Sequence, residues 1–150
     1  MELNSKQKII NAILTIIQYF GFAIYLYLSP WWSAGLILQS IEIVGIILAV
    51  WAVLEMNKSK INIAPQPRKN SSLVTSGPYA YIRHPMYTSI IVAVTPLIIS
   101  YWDVGMFAFL MFLYTNLIFK LLFEESLLKE HFTDYKTYMK NSWRIIPGIF

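Results

Sequence analysis

Long apolar stretches dominate the chain, and short polar breaks divide them into four segments. The first stretch covers residues 9–28 and the second covers residues 36–54. A third, shorter stretch runs over residues 86–101 and contains Pro96, and the fourth covers residues 104–123. Because about 20 apolar residues in a helix match a hydrocarbon core of about 30 Å, this pattern predicts four transmembrane helices. The internal proline predicts a kink or a tilt in the third helix.

The tail that follows the fourth stretch has a different pattern. From Glu124 to about Lys140, apolar and aromatic residues recur every three or four positions, and charged residues fill the gaps. This spacing is typical of an amphipathic helix, which Pro147 and Gly148 then end. The chain is therefore predicted to be an all-α integral membrane protein, with four transmembrane helices and a C-terminal amphipathic helix in a single domain over residues 1–150.

The distribution of charge predicts the orientation of these helices. Charged residues make up 13% of the chain, against about 25% in soluble proteins. All basic residues lie at the N-terminus, in the loop after the second span, or at and beyond the end of the fourth, and residues 29–35 and 101–103 carry none. This bias predicts a multi-pass protein of the cell membrane with both termini and the 55–85 loop in the cytosol. Basic residues clustered in this way indicate membrane topology, and no nucleic-acid partner is predicted.

Polar residues inside the spans are candidates for function, because charged groups at membrane depth cost at least a few kcal/mol. The chain has no cysteine, which removes thiolate chemistry, and no metal site is predicted. Glu42 stands in the second span, where a structural and a functional role are equally good interpretations. Two further sets recur at helical spacing on one face of the first and of the fourth span: Asn11, Thr15 and Gln18, and Asn116, Lys120 and Glu124. For the first set we favour hydrogen bonds between helices, although facing stripes would also build a polar pocket open to the cytosol.

The most informative segment runs from Ser72 to Tyr87. It combines three tyrosines, the pair Arg83-His84, and Pro85 at the start of the third span. These residue types fit a polar ligand with an aromatic or cationic part, and a free helix start suits an anionic group. A loop anchored at the membrane interface by its tyrosines explains the same residues equally well.

The sequence LVTSGPYAYIRHPMY at residues 73–87 resembles the signature of the isoprenylcysteine carboxyl methyltransferase family, which is related to the phospholipid methyltransferases. The resemblance extends over roughly residues 65–150. After an apolar helical hairpin, the family shows a basic residue, a Glu-Glu pair, a Phe-containing helix, a Tyr-x-x-Tyr and a late proline. Those elements stand here as Lys120, Glu124-Glu125, Phe132, Tyr135 and Tyr138, and Pro147.

This resemblance implies an S-adenosylmethionine-dependent membrane enzyme with a cytosolic cofactor-binding loop. It implies that backbone groups in the first part of the segment line the cofactor, that the later part holds its adenosyl and amino-acid moieties, and that Glu124 binds it from the fourth span. The implied cofactor-binding residues are Ser72, Leu73, Val74, Tyr79, His84, Pro85, Met86, Tyr87 and Glu124.

The acceptor is expected to be lipophilic and to enter from the bilayer, most of all as a carboxylate of the isoprenylcysteine type. In the prenylcysteine enzymes, an arginine four positions before the glutamate clamps the substrate carboxylate. Here that residue is Lys120, which lacks the bidentate fork, so Arg83 or Arg144 would supply it. If the acceptor is an amine or a thiol, it needs a base, and Glu42 joins the catalytic candidates together with His84 and Glu124.

Three alternatives stay open from the sequence. A phospholipid amine or a thiol would serve as acceptor in the same kind of site. A sterol-reductase-like protein that binds NADPH shares a similar Arg-His-Pro-x-Tyr, although such proteins are much larger. The third is a membrane scaffold without enzymatic activity, in which the loop only anchors the bundle. The expected partners are a lipophilic small molecule or prenylated substrate and membrane lipids.

Overall fold

The computed structural model describes residues 4–58 and 73–150, and all regular structure in these two ranges is helical. A one-turn 3-10 helix covers Gly77–Ala80, between the second and third α-helices. The α-helices are α1 (Ser5–Leu28), α2 (Leu36–Lys58), α3 (Pro85–Ser100), α4 (Val104–His131) and α5 (Tyr135–Lys140).

Three of these helices are long and apolar enough to cross a membrane, namely α1, α2 and α4. They correspond to the first, second and fourth predicted spans. The third predicted span is α3, whose 16 residues measure about 24 Å along the axis, less than a hydrocarbon core of about 30 Å. The helix α3 continues without a break through Pro96. Its crossing of the membrane remains a prediction.

The helix ends carry recognisable signals. Asn4 caps α1 through a capping box with Gln7, and Asp103 caps α4 by accepting a hydrogen bond of 2.8 Å from the backbone N–H of Met106. Pro85 occupies the first position of α3, where a missing N–H costs nothing. The polar breaks in the sequence therefore lie where these three helices begin.

The tail differs from its prediction. A single amphipathic helix was expected from Glu124 to Lys140, but α4 continues without interruption to His131 and only the short α5 follows. Phe132 has an extended backbone conformation, and Thr133 and Asp134 after it are weak helix formers, so the chain turns there. As a result, Glu124 and Glu125 belong to the long helix α4, which places Glu124 against Tyr87 of α3.

Two helix pairs form the bundle, with α1 packed on α4 and α2 packed on α3. The α2–α3 contact is close at Gly45, where an added Cβ would lie 2.6 Å from the backbone nitrogen of Ala93. Four leucines of α4 are fully buried and form the centre of the main apolar core: Leu110, Leu113, Leu117 and Leu121. The polar residues described next lie at the end of the bundle where α3 begins.

The C-terminal segment runs beside the residues that precede α3. Ile82 and Trp143 form an isolated parallel bridge, in which the N–H of Arg83 donates to the Trp143 carbonyl oxygen at 2.7 Å. The N–H of His84 donates to the carbonyl oxygen of Arg144 at 3.0 Å. These bonds fix the backbone of the Arg83-His84 pair before α3 starts.

Candidate functional site

A cluster of polar side chains joins the start of α3 to α4. The hydroxyl of Tyr87 donates a hydrogen bond of 2.6 Å to Oε2 of Glu124. The His84 ring stacks on the Tyr87 ring with 5.3 Å between centroids and 6° between planes, and its Nδ1 lies 3.8 Å from the same Glu124 oxygen. His84 and Tyr87 are buried and Glu124 is mostly so. The structure thus brings together three residues, of which the two most distant are 40 positions apart in the sequence.

Lys120 completes this cluster from one turn earlier in α4. Its Nζ lies 3.2 Å from Oε1 of Glu124, and the residue is only 4% exposed. The ammonium lies 5.5 Å from the centroid of the Tyr87 ring and 6.0 Å from that of Tyr19 on α1. Lys120 therefore does not extend to solvent. It forms a buried ion pair between two aromatic rings.

The two arginines proposed as carboxylate clamps both bind Glu125. Arg83 Nε lies 2.8 Å from Oε1 of this glutamate, and Arg144 Nε lies 3.1 Å from Oε2. Glu125 is 1% exposed. Arg83 also donates to the carbonyl oxygens of Met139 and Ser142. These contacts tie the C-terminal segment to α4 and give both arginines an intramolecular partner.

The loop before the cluster packs an aromatic side chain against α2. Val74 and Tyr79 are buried with Ala52 of α2, and Met56 and Met86 flank them. Leu73 is half-buried at the start of the described loop, and Pro85 is fully buried where α3 begins. Ser72 lies outside the described residues. The implied cofactor-binding residues of this segment therefore divide between an apolar part at Val74, Tyr79 and Met86 and a polar part at His84 and Tyr87.

Tyr79 has its backbone and its side chain in different environments. Its carbonyl oxygen accepts a hydrogen bond of 2.6 Å from the hydroxyl of Tyr138. Burial raises the pKa of Tyr138 to about 12, and it also raises the pKa of Tyr79, so both phenols stay protonated near neutral pH. The Tyr79 hydroxyl and Nε2 of His84 are buried and make no hydrogen bond to any of the described residues. The Tyr79 hydroxyl is therefore available to a polar ligand, whereas Nε2 of His84 lies 3.7 Å from Oε1 of Glu125.

Glu55 is a residue of this region that the sequence analysis did not single out. It is buried at the end of α2, and its Oε1 accepts a hydrogen bond of 2.5 Å from the Ser76 hydroxyl. Gly77 follows with a φ of +57°, and an added Cβ there would lie 2.9 Å from Cγ of Glu55. The available signal was an acidic residue directly after an apolar span, which sequence reasoning assigned to the polar loop.

Glu42, the candidate base in the second span, does not join the cluster. Its Oε1 accepts a hydrogen bond of 3.1 Å from the backbone N–H of Ser33, in the loop between α1 and α2. The next N–H in that loop, from Ala34, donates to the hydroxyl of Ser100 at the far end of α3. Glu42 thus lies at the end of the bundle opposite His84, where it anchors a loop.

Comparison with known proteins adds a family to this geometry. The sequence model described as phospholipid methyltransferase matches residues 31–135. The match includes α2, α3, α4 and the whole cluster around Glu124, and it leaves out α1 and the C-terminal segment. No curated protein and no solved structure is a significant match to the chain.

Proposed function

This chain belongs to the phospholipid methyltransferase family, within the group of membrane methyltransferases that includes the isoprenylcysteine enzymes, and we propose that it transfers a methyl group from S-adenosylmethionine to a lipophilic acceptor. The three apolar helices and the family match indicate an integral membrane protein. In the proposal, the termini and the 55–85 loop face the cytosol, where the soluble cofactor is found.

The contact between Tyr87 and Glu124 is the observation that carries the proposal. A sulfonium cation is stabilised by a nearby carboxylate and by aromatic faces. Glu124 supplies the carboxylate, while the stacked rings of His84 and Tyr87 supply the faces. The apolar surface at Val74 and Met86 suits an adenosyl moiety, to which the unpaired hydroxyl of Tyr79 can add a hydrogen bond.

The chemistry of methyl transfer makes modest demands on these residues. The cofactor supplies an activated methyl group on a sulfonium, which the acceptor takes by in-line displacement. The chain must hold acceptor and cofactor in line and exclude water, and rate enhancement comes chiefly from this alignment. A carboxylate acceptor needs no base. An amine acceptor must lose a proton, and His84 is a candidate base. Its Nδ1 lies 3.8 Å from Glu124, and its Nε2, which makes no hydrogen bond to the described residues, lies 3.7 Å from Glu125.

The ion pairs favour an amine over the expected isoprenylcysteine carboxylate. Arg83 and Arg144 both bind Glu125, and Lys120 binds Glu124. A carboxylate acceptor would therefore have to share each of these three cations with a glutamate. A phospholipid would share only Lys120, through its phosphate, while its amine approaches a carboxylate. A phospholipid amine is accordingly our first acceptor, and the prenylcysteine carboxylate our second.

Ligand binding tests the cofactor assignment. Isothermal calorimetry of the purified protein in detergent should detect S-adenosylhomocysteine and no binding of NADPH, which serves as the comparison ligand for a reductase. Glu124→Gln should weaken the binding of S-adenosylmethionine, whose sulfonium the carboxylate stabilises, and Glu130→Gln, at an exposed position of the same helix, should not. Binding of NADPH alone would contradict the proposal.

A further inference from the structure

The face of α1 that packs on α4 carries polar atoms without partners. Asn11 and Gln18 are 7% and 3% exposed, and Thr15 lies between them on the same face. The oxygens Oδ1 of Asn11, Oγ1 of Thr15 and Oε1 of Gln18 are buried and accept or donate no hydrogen bond within residues 4–58 and 73–150. Inside a membrane span, each such atom costs free energy unless something binds it.

The polar residue of α4 at this level does not bind them. Asn116 uses its Nδ2 to donate a hydrogen bond of 3.1 Å to the backbone carbonyl oxygen of Leu14. This bond does link α1 to α4, as expected for a polar residue in a span. It leaves the three oxygens of α1 unpaired, so hydrogen bonding between helices does not account for them.

The helix that carries the unpaired oxygens also contacts the buried cation of the cluster. Asn116 precedes Lys120 by one turn of α4, and Tyr19, whose ring the Lys120 ammonium approaches, directly follows Gln18. An ammonium has three N–H donors, and the ammonium of Lys120 has one carboxylate oxygen, Oε1 of Glu124, at 3.2 Å. The contact between α1 and α4 therefore offers two kinds of binding group, a cation with spare donors on α4 and a row of neutral acceptors on α1.

We propose that Asn11, Thr15, Gln18, Tyr19 and Lys120 form a binding site for the head group of an amphiphile that carries both an anion and N–H donors. The anion would bind Lys120, and the N–H groups would bind the oxygens of α1. The outer face of α1 is apolar and exposed, with Ile13, Ile16 and Phe20 available to an acyl chain. The family match begins after α1, so it assigns no role to these α1 residues. That the amphiphile is the methyl acceptor rests on the proposed function, whereas the site itself does not.

Two single-chain amphiphiles test the site directly. Dodecylphosphoethanolamine and dodecylphosphocholine share the chain and the phosphodiester, but only the first has N–H donors. We expect calorimetry in a maltoside detergent to show about tenfold tighter binding of the ethanolamine compound to the wild type, a factor typical of one or two hydrogen bonds. Gln18→Leu should remove this preference. Thr115→Val, which replaces an exposed polar residue of α4, should keep it.

Each outcome decides for or against the site. Equal binding of the two compounds by the wild type would overturn it. So would an unchanged preference in Gln18→Leu together with a raised melting temperature, because that pair of results identifies the stripe as helix packing. Thr15→Val serves as a second variant if Gln18→Leu does not fold.

S-Adenosylhomocysteine binding on the same samples separates this inference from the proposed function. A preserved amphiphile preference without any S-adenosylhomocysteine binding would contradict the methyltransferase proposal and leave the site intact. S-Adenosylhomocysteine binding without the amphiphile preference would contradict the site and leave the methyltransferase proposal intact.

Discussion

The Tyr87 hydroxyl donates its hydrogen bond to Glu124 across the contact between α3 and α4, at an O···O distance of 2.6 Å. This bond fixes the carboxylate beside the stacked ring of His84, while the other carboxylate oxygen binds Lys120. A second bond between the two helices, linking Thr95 and Tyr114 with 2.8 Å between their hydroxyl oxygens, lies further along α3, so the Tyr87–Glu124 bond positions the first turn of α3 on α4.

Removing this hydroxyl tests its role in cofactor binding. Tyr87→Phe should weaken S-adenosylmethionine binding by about tenfold, the scale of one hydrogen bond to a charged group, because Glu124 loses the hydroxyl that fixes its carboxylate beside the His84 ring. Calorimetry in detergent measures the effect. Tyr27→Phe is the control, because Tyr27 is 86% exposed on α1 and should tolerate the same change. An unchanged affinity in Tyr87→Phe would count against Glu124 as a cofactor ligand.

Lys120 should act on the acceptor and not on the cofactor. In Lys120→Met the acceptor loses its cationic partner, so kcat/KM for the acceptor should fall by about tenfold or more. S-Adenosylmethionine affinity should stay the same or rise, because the Glu124 carboxylate is then free of its ion pair and stays fixed by Tyr87. Lys129→Met, at an exposed position of α4, controls for the loss of charge. A fall in cofactor affinity with an unchanged acceptor KM would reverse this assignment.

Glu125 should determine stability more strongly than any exposed carboxylate of α4. Glu125→Gln removes the charge that balances Arg83 and Arg144, and breaking a buried pair from one side costs about 3–5 kcal/mol. The melting temperature in detergent should fall markedly, whereas Glu130→Gln should leave it nearly unchanged. Similar melting temperatures for the two variants would show that the C-terminal segment is held without this ion cluster.

Gly77 should be required for the shape of the loop next to α2. Gly77→Ala brings a Cβ to within 2.9 Å of Glu55 and also strains a backbone with φ of +57°, a conformation that costs other residues about 1–2 kcal/mol. Gly35 has a φ of +88°, and a Cβ added there meets no atom within 4 Å. Gly35→Ala therefore controls for the backbone cost alone. We expect S-adenosylhomocysteine affinity to fall in Gly77→Ala only. Equal S-adenosylhomocysteine affinities in the two variants would show that the contact between Gly77 and Glu55 does not affect cofactor binding.

The sequence predicted the features that follow from local pattern. Apolar runs and their polar breaks identified α1 to α4 within a few residues at their starts, because membrane spans and helix caps are local signals. The motif at residues 73–87 and the Glu-Glu pair were likewise recognisable as sequence elements. Their meeting in space follows from the antiparallel return of α4 along the bundle.

Other features depend on contacts between distant segments that no local pattern records. The pairing of Trp143 with Ile82 has no periodic signal, so the commitment of Arg83 and Arg144 to Glu125 could not be predicted. Glu42 allowed a structural and a functional interpretation equally, because its charge lies inside a predicted span. Its partner is a backbone N–H of a loop, which the sequence does not specify.

Methyl transfer itself is the most direct test of the central claim. Membranes that contain the protein are incubated with methyl-labelled S-adenosylmethionine, and the lipid extract is then separated and counted. We expect label in an amine-bearing phospholipid with the wild type and little label with Glu124→Gln. Label on a prenylcysteine carboxyl ester would move the acceptor to our second candidate. If neither the lipid nor the protein fraction carries more label than the same fraction of membranes that lack the protein, the proposed methyl transfer is contradicted.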